Sequence, residues 1–515
     1  MANITVDTDR DVIPRWRDFK TTAALGELDE SAENKGALIS TSPLLFTGLE
    51  SKILAWNTRR GIGEAADLLN NAYLLRAFDP SVVDAAKYLQ SNAEQLSPAL
   101  RRIADEILSN RKPQEANFDL HTLTENAQHA KIHKIRRYLV DQPRNSILYV
   151  ELARMYTLLN QNEHAKTAML TAVKLSPNNR FILRSASRLF LHIKETGLAH
   201  DVLRHAEKTK HDSWLLAAEI SVASAVGHRA RFLKNGERLI KSGSIEPKQI
   251  TELATAVAME EIEHGKNSIA RKLIRVALVE PTENTLAQVA WAGRNKISLD
   301  DVDPTEHQNI PFVHESKAWQ SFQDEDWENV RSESLLWYWD QPFSSRPINL
   351  AGYVASTLQL DYAESARIFE IGRKTNAKSF VILNNLAFAY ASGNKTDEAE
   401  EVLQSVDHSK LTDENKIYLT ATRGLIAFRR NQLELGRKLY DMAINDARER
   451  KDRKLALRAG VYYAREEIRL RPDEGRSLRQ EILQLVNELK DRELSLIAEH
   501  QLSEKSTSPS KSSKR

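Results

Sequence analysis

One pattern constrains this chain more than any other. In "AKTAMLTAVKLSP", residues 165–177, the small Ala165 is followed four residues on by the bulky Met169 and seven on by the small Ala172. Offsets of three, four and seven share one face of an α-helix, so the small residues let a neighbouring helix approach and the bulky one fills the space beside it. The triplet recurs as Ala65–Leu69–Ala72, Ala199–Leu203–Ala206, Gly236–Ile240–Gly243, Ala270–Ile274–Ala277, Ser365–Phe369–Gly372 and Gly436–Tyr440–Ala443, with Ala399–Leu403–Val406 as a looser copy. From 165 the steps to 199, 236 and 270 are 34, 37 and 34 residues, and from 365 the steps to 399 and 436 are 34 and 37. A helical unit of this period cannot bury its apolar face alone, so successive units must stack.

Composition agrees with a stack. A chain of 515 residues is long for one core, but a repeat array grows along one axis and needs no single large core. Apolar residues make up 41% and charged residues 28%, a folded rather than a disordered balance, and with only 18 glycines and 15 prolines there is little material for many tight turns. No run approaches the ~20 apolar residues of a membrane span. The opening "MANITVDTDRDVIPRWRDF" carries early acids and no apolar run, unlike a secretory signal. Cysteine is absent, which excludes disulfides, thiolate nucleophiles and thiolate metal sites and fits a cytoplasmic protein. The net charge is +2, and the last eleven residues alone carry +4, so the rest of the chain is at −2 and the basic character belongs to a Ser/Lys tail with the composition of a disordered segment.

Each triplet helix has an upstream partner. "YVELARMYTLLNQNEHA" (149–165) and "LNNLAFAYASGNKTDEA" (383–399) share a bulky residue, Leu-Ala, a Tyr three residues later, a polar turn and an Ala. Through Tyr149, Leu152, Ala153, Tyr156, Ala165, Met169, Ala172 and Pro177, and through Leu383, Leu386, Ala387, Tyr390, Ala399 and Leu403, the chain resembles the tetratricopeptide repeat family over roughly 145–445. The resemblance implies an all-α fold, a right-handed superhelix of antiparallel helix pairs, here in two subarrays. The expected organisation is an irregular segment 1–42, a helical region 43–109 with one degenerate repeat, a linker 110–119, a first subarray 120–294, a hinge 295–314, a second subarray 315–470, a capping helix 471–503 and a basic tail 504–515.

The resemblance also implies a concave groove, lined by the first helix of each unit, that holds a peptide or helix of another protein. In this register Arg154, Arg184 and Arg188 fall on one stretch of the groove and would suit an acidic segment. Asn384 and Asn385 would line the second subarray, where asparagine bonds a ligand backbone. Val150 stands where chaperone-binding members carry a carboxylate-clamping lysine, which weakens a co-chaperone reading. Aligning Pro342 on Pro177 places Ser334 on Met169, Trp337 on Ala172 and Tyr338 on Val173, so Trp337 and Tyr338 read as core, with bulky and small exchanged. Trp339 falls on polar Lys174 and reads as an exposed anchor for a partner.

Chemistry is sparse. His129 and His133 have the i, i+4 spacing of a metal pair but no third ligand, and read as exposed helix histidines. No nucleophile elbow, P-loop or dinucleotide fingerprint occurs, so no enzyme, cofactor or metal is implied. "KIHKIRR" (131–137) and "RERKDRKLALR" (448–458) read as basic helices, and with the tail they leave nucleic-acid binding as an alternative. A third class, an enzyme housed in 1–140, has no motif behind it. The sequence reads first as a non-catalytic scaffold, adaptor or regulatory subunit that binds another protein.

Overall fold

The structure, a computed structural model, describes residues 14–29, 49–75, 79–96, 98–108, 125–295, 310–471 and 475–503. All regular structure among them is helical. The linker 110–119, most of the hinge and the tail 504–515 lie outside the described residues.

The chain forms two compact units, residues 27–148 and residues 1–26 together with 149–515. In the smaller unit the helices Leu49–Thr58, Ile62–Leu75, Pro80–Ser91 and Pro98–Leu108 pack around Trp56, Leu68, Leu69, Val82, Leu89 and Ile107. Pro80 and the Asp79 carboxylate, which accepts from the Ser81 amide at 2.8 Å, fix where the third helix starts. The helix Glu125–Asp141 groups with this unit.

The larger unit is a run of antiparallel helix pairs, an α-solenoid of the kind the period demands. Ser146–Leu158 pairs with Asn162–Leu175, Arg180–His192 with Thr196–Arg204, Ser213–Ala225 with Leu233–Ser242, and Pro247–Glu263 with Asn267–Ala277. After Glu283–Asn295 come His314–Gln323 with Trp327–Asp340, Ser345–Tyr353 (extended by a π-turn to Leu358) with Tyr362–Thr375, Phe380–Ser392 with Thr396–Gln404, and Asp413–Arg429 with Leu433–Glu449. The turn inside a pair is closed the same way in at least five of the pairs. Asn160, Lys194, Gly265, Asn394 and Asn431 adopt left-handed φ of 54–75°. The residue after each donates back to a carbonyl five positions earlier: Gln161 to Tyr156, Glu195 to Phe190, Lys266 to Glu261, Lys395 to Tyr390 and Gln432 to Ala427, all at 2.8–2.9 Å.

The triplets do what their spacing requires. Ala165, Met169, Ala172, Ala199, Leu203, Ala270, Ile274, Ala277, Ser365, Phe369, Ala399, Leu403, Tyr440 and Ala443 are all buried. A Cβ added at Gly372 would sit 2.4 Å from Ile348 Cγ2, so that position must be small. One triplet departs: Gly243 is exposed at φ 61° and caps the helix Leu233–Ser242 instead of packing. Ser334, Trp337 and Tyr338 are buried in the core of the second subarray, which confirms the exchange of bulky for small.

Two expected helices are broken. The capping helix expected over 471–503 is not one helix but two, Gly475–Leu489 and Arg492–Gln501, separated by Lys490 at φ 54° and restarted where Asp491 accepts from the Leu494 amide at 2.9 Å. The stretch 448–458 is not a basic helix. It spans the end of Leu433–Glu449, a turn at Lys451 (φ 59°) and the start of Arg453–Leu470.

Candidate partner-binding surface

Each pair of the larger unit begins with a helix of the kind that the tetratricopeptide resemblance sets along a groove. In a helix with one packed stripe the groove side is free, yet here these helices are buried almost all round: Phe181–Phe190 in one and Ser213–Ala223 in the next. What covers them is the chain itself.

Residues 14–18 run between the first subarray and the start of the second and lead into a short helix, Phe19–Ala24, started by the Asp18 carboxylate on the Thr21 amide. Pro14 closes a cavity of only ≈ 10 Å³ lined by Ser221, Glu252, Thr255, Asn284 and Gln288. Arg15 pairs with Glu315, whose other oxygen takes Arg346 at 2.7 Å. The Trp16 ring lies 5.2 Å from Phe343, and its backbone amide donates to Gln341. Arg17 bridges two carboxylates, Asp340 at 2.5 and 2.7 Å and Glu283 at 2.8 Å. The Phe19 amide donates to Glu151 at 2.8 Å, and its ring meets Phe181 edge-on at 5.3 Å. Trp16 is 1% exposed and Arg17 3%. A buried guanidinium is tolerable only with such pairing, since desolvating an unpaired charge costs several kcal/mol. Residues 14–19, within the segment 1–42 expected to be irregular, are therefore tied into the array.

The residues expected to bind a partner fall into place unevenly. Arg184 lies on the inner face, buried, with Nη2 2.9 Å from Glu252 and its guanidinium 4.5 Å above the Trp214 ring. Arg188 is buried over Phe343 at 5.0 Å, the ring that also meets Trp16. Arg154 is half-buried. These arginines do not form an acid-seeking patch: Glu252 answers Arg184, and the segment that occupies the face is cationic, where an acidic one was expected. Asn384 and Asn385 are both buried. Asn384 accepts from Thr422 of the next pair at 2.8 Å, so it ties repeat to repeat. Trp339 is half-buried with its ring 6.0 Å from Tyr338, rather than standing clear as an anchor.

The second subarray is covered by the helix Arg492–Gln501. The Gln501 amide nitrogen donates to the Thr357 carbonyl at 2.7 Å, and its oxygen accepts from fully buried Arg465 at 2.6 Å. Glu493 takes Arg458 at 2.7 Å and Lys454 at 2.8 Å. Of the two coverings, the second lies within the capping helix expected over 471–503, and the first was not foreseen. The signal for the first was present: Trp16 and Phe19, in a segment without periodicity, are apolar rings that must be buried somewhere.

His192, edge-on to Phe343 at 5.7 Å, is held neutral: burial and then the Arg188 guanidinium push its pKa down to about 3. His200 is buried with Nε2 2.9 Å from Glu219, which also takes the amides of Arg231 and Phe232, a structural use of all its acceptors. Among the described residues no group of three or more His, Asp and Glu side chains is placed to hold a metal ion, and no helix is long and apolar enough to cross a membrane.

The family comparison fits this architecture. Residues 147–179, the first helix pair of the array, match the tetratricopeptide repeat family. No curated protein matches the sequence. Among solved structures, one titled "Structure of Naa15/Naa10 bound to HypK-THB" is similar over 93% of both chains at 12% identity, with a TM-score of 0.24, too low to carry an argument. The chain is an all-α helical-repeat protein. Its helix pair at residues 147–179 is of the tetratricopeptide type.

Proposed function

We propose that this chain is a non-catalytic scaffold, an adaptor or regulatory subunit that holds a segment of a partner protein on the inner face of its repeats. The observation that carries this reading is the face itself. Glu151, Phe181, Glu283, Glu315 and Asp340, from five helices, and Phe343, from the loop after the last, converge on residues 15–19 and read their charges and rings in turn. Such a row of side-chain sites along an extended segment is how repeat proteins recognise peptides. The test is affinity purification of the tagged chain from its own cells, with and without nuclease, read by mass spectrometry. A stoichiometric protein partner that survives nuclease is the expected outcome; recovery of nucleic acid alone would overturn the reading.

A second reading, contact with nucleic acid, is supported by one observation. Lys131, Lys134, Arg136 and Arg137 are exposed together on the helix Glu125–Asp141. Phosphate contacts by these cations would make binding fall steeply with salt.

A further inference from the structure

We infer that residues 14–24 are an intramolecular ligand: they occupy a recognition face shared by the first subarray and the start of the second, and the partner segment that competes for it is an extended, cationic-aromatic peptide of the form Arg-aromatic-Arg. This rests on the scaffold reading above and gives its site a chemistry. The pattern of the face sets the pattern of the ligand. Residues of an extended strand alternate in direction, so Arg15 and Arg17 project together while Trp16 projects opposite. Arg15 meets Glu315, and Arg17 meets Glu283 and Asp340. Trp16 goes the other way, to Phe343, whose ring is also flanked by Arg188 and His192. Phe19, two residues beyond Arg17, completes the set against Phe181.

Three features mark the stretch as a bound ligand rather than a part of the repeat lattice. It is not a member of any helix pair. Its partners lie 132 to 325 positions away in sequence, whereas inter-repeat bonds such as Asn384–Thr422 span 38. And its hold is largely ionic and side-chain specific, the kind of contact another chain of the same pattern can reproduce. A covalently attached ligand competes at an effective concentration in the millimolar range, so a free partner segment must displace it. Access to the inner face is thereby regulated by the chain's own amino-terminal segment.

The experiment uses the full chain carrying Arg15→Glu and Arg17→Glu, which sets carboxylates against Glu283, Glu315 and Asp340 and releases the segment. The probe is a fluorescent peptide with the sequence of residues 14–28. The expected result is saturable one-to-one binding to the variant, at least about tenfold tighter than to the wild-type chain. The same peptide with both arginines replaced by glutamate should not bind. Failure of the folded variant to take the peptide, or equal binding by variant and wild type, overturns the inference. Should the variant not fold, hydrogen exchange on the wild-type chain decides. If the amides of Phe19–Ala24 exchange through an opening that leaves Ser213–Ala225 protected, the segment is detachable; if they exchange only on global unfolding, it is core and the inference fails. The scaffold reading is separable from this one: a partner that co-purifies equally with wild type and variant would preserve the scaffold while removing the competition.

Discussion

Gly372 shows how closely a single position is specified. It is the third member of a triplet, and a Cβ there would lie 2.4 Å from Ile348 Cγ2 and 3.1 Å from Ile348 Cβ, close to the branch point and hard to move aside. Alanine is the better helix former by up to about 1 kcal/mol, but overpacking a core typically costs about 1–3 kcal/mol, and with contacts this short the clash wins. Gly372→Ala should lower the urea midpoint. An unchanged or raised midpoint would mean the helix pair can part without cost. At the same scale, His192 sets a pH dependence. In the unfolded chain an imidazole titrates near pH 6.5, whereas in the fold its pKa is about 3. Between those values the unfolded chain binds the proton and the folded chain does not, so stability is fully present above about pH 6.5 and falls as pH drops toward 3. At pH 5 the loss is about 2 kcal/mol. His192→Leu should reduce the difference in unfolding free energy between pH 7 and pH 5 by that amount; equal pH sensitivity in both proteins would assign the acid response elsewhere. The small position at Gly372 is readable in the sequence because helical spacing dictates it. The sign of the inner face is not, because Glu252, which neutralises Arg184, lies two repeats away and nothing in the local pattern pairs them.

At the scale of elements, periodicity reports which helices exist and turn chemistry reports where they stop, and the second signal is the weaker. Asn160, Asn394 and Asn431 announce their left-handed turns. Lys451 and Lys490 take the same conformation with no such mark, which is why the helices around 448–458 and 471–503 read as continuous. The break at Lys490 matters because it turns the helix Arg492–Gln501 back onto the inner face of the second subarray. There Glu493 is the carboxylate for buried Arg458, which also donates to the Tyr418 hydroxyl at 3.1 Å. Glu493→Ala would leave a buried guanidinium without its counter-ion, and removing one partner of a buried pair costs about 3–5 kcal/mol. The expected result is a drop of that order in the unfolding free energy of the larger unit, with most of it recovered by the double variant in which Arg458 is also replaced by Met. If the double variant is no better than the single one, the pair does not act as a unit and the covering helix is held by its apolar face alone, through Leu494, Ile497 and Ala498.

For the whole molecule, the coverings change how the array should unfold. A solenoid whose repeats touch only their neighbours behaves as a one-dimensional chain of units and can lose them in parts. Here Arg15, Trp16, Arg17 and Phe19 join Glu315, Gln341, Asp340 and Glu151, so one short segment ties the helix Ser146–Leu158 to Trp327–Asp340 across nearly two hundred residues of repeats. With the segment in place, opening an end pair breaks contacts in the middle of the array, and the pairs must come apart together. Seven of the eight tryptophans lie in the larger unit, so their fluorescence follows it with little signal from the smaller one. The wild-type chain should give one steep urea transition by this probe. The full chain with Arg15→Glu and Arg17→Glu should give a broader or split one, because m scales with the surface exposed in each cooperative step and the steps become smaller. A variant curve displaced to lower urea with its slope intact would show that the segment adds stability without coupling the repeats. The array would then be cooperative through its neighbour interfaces alone.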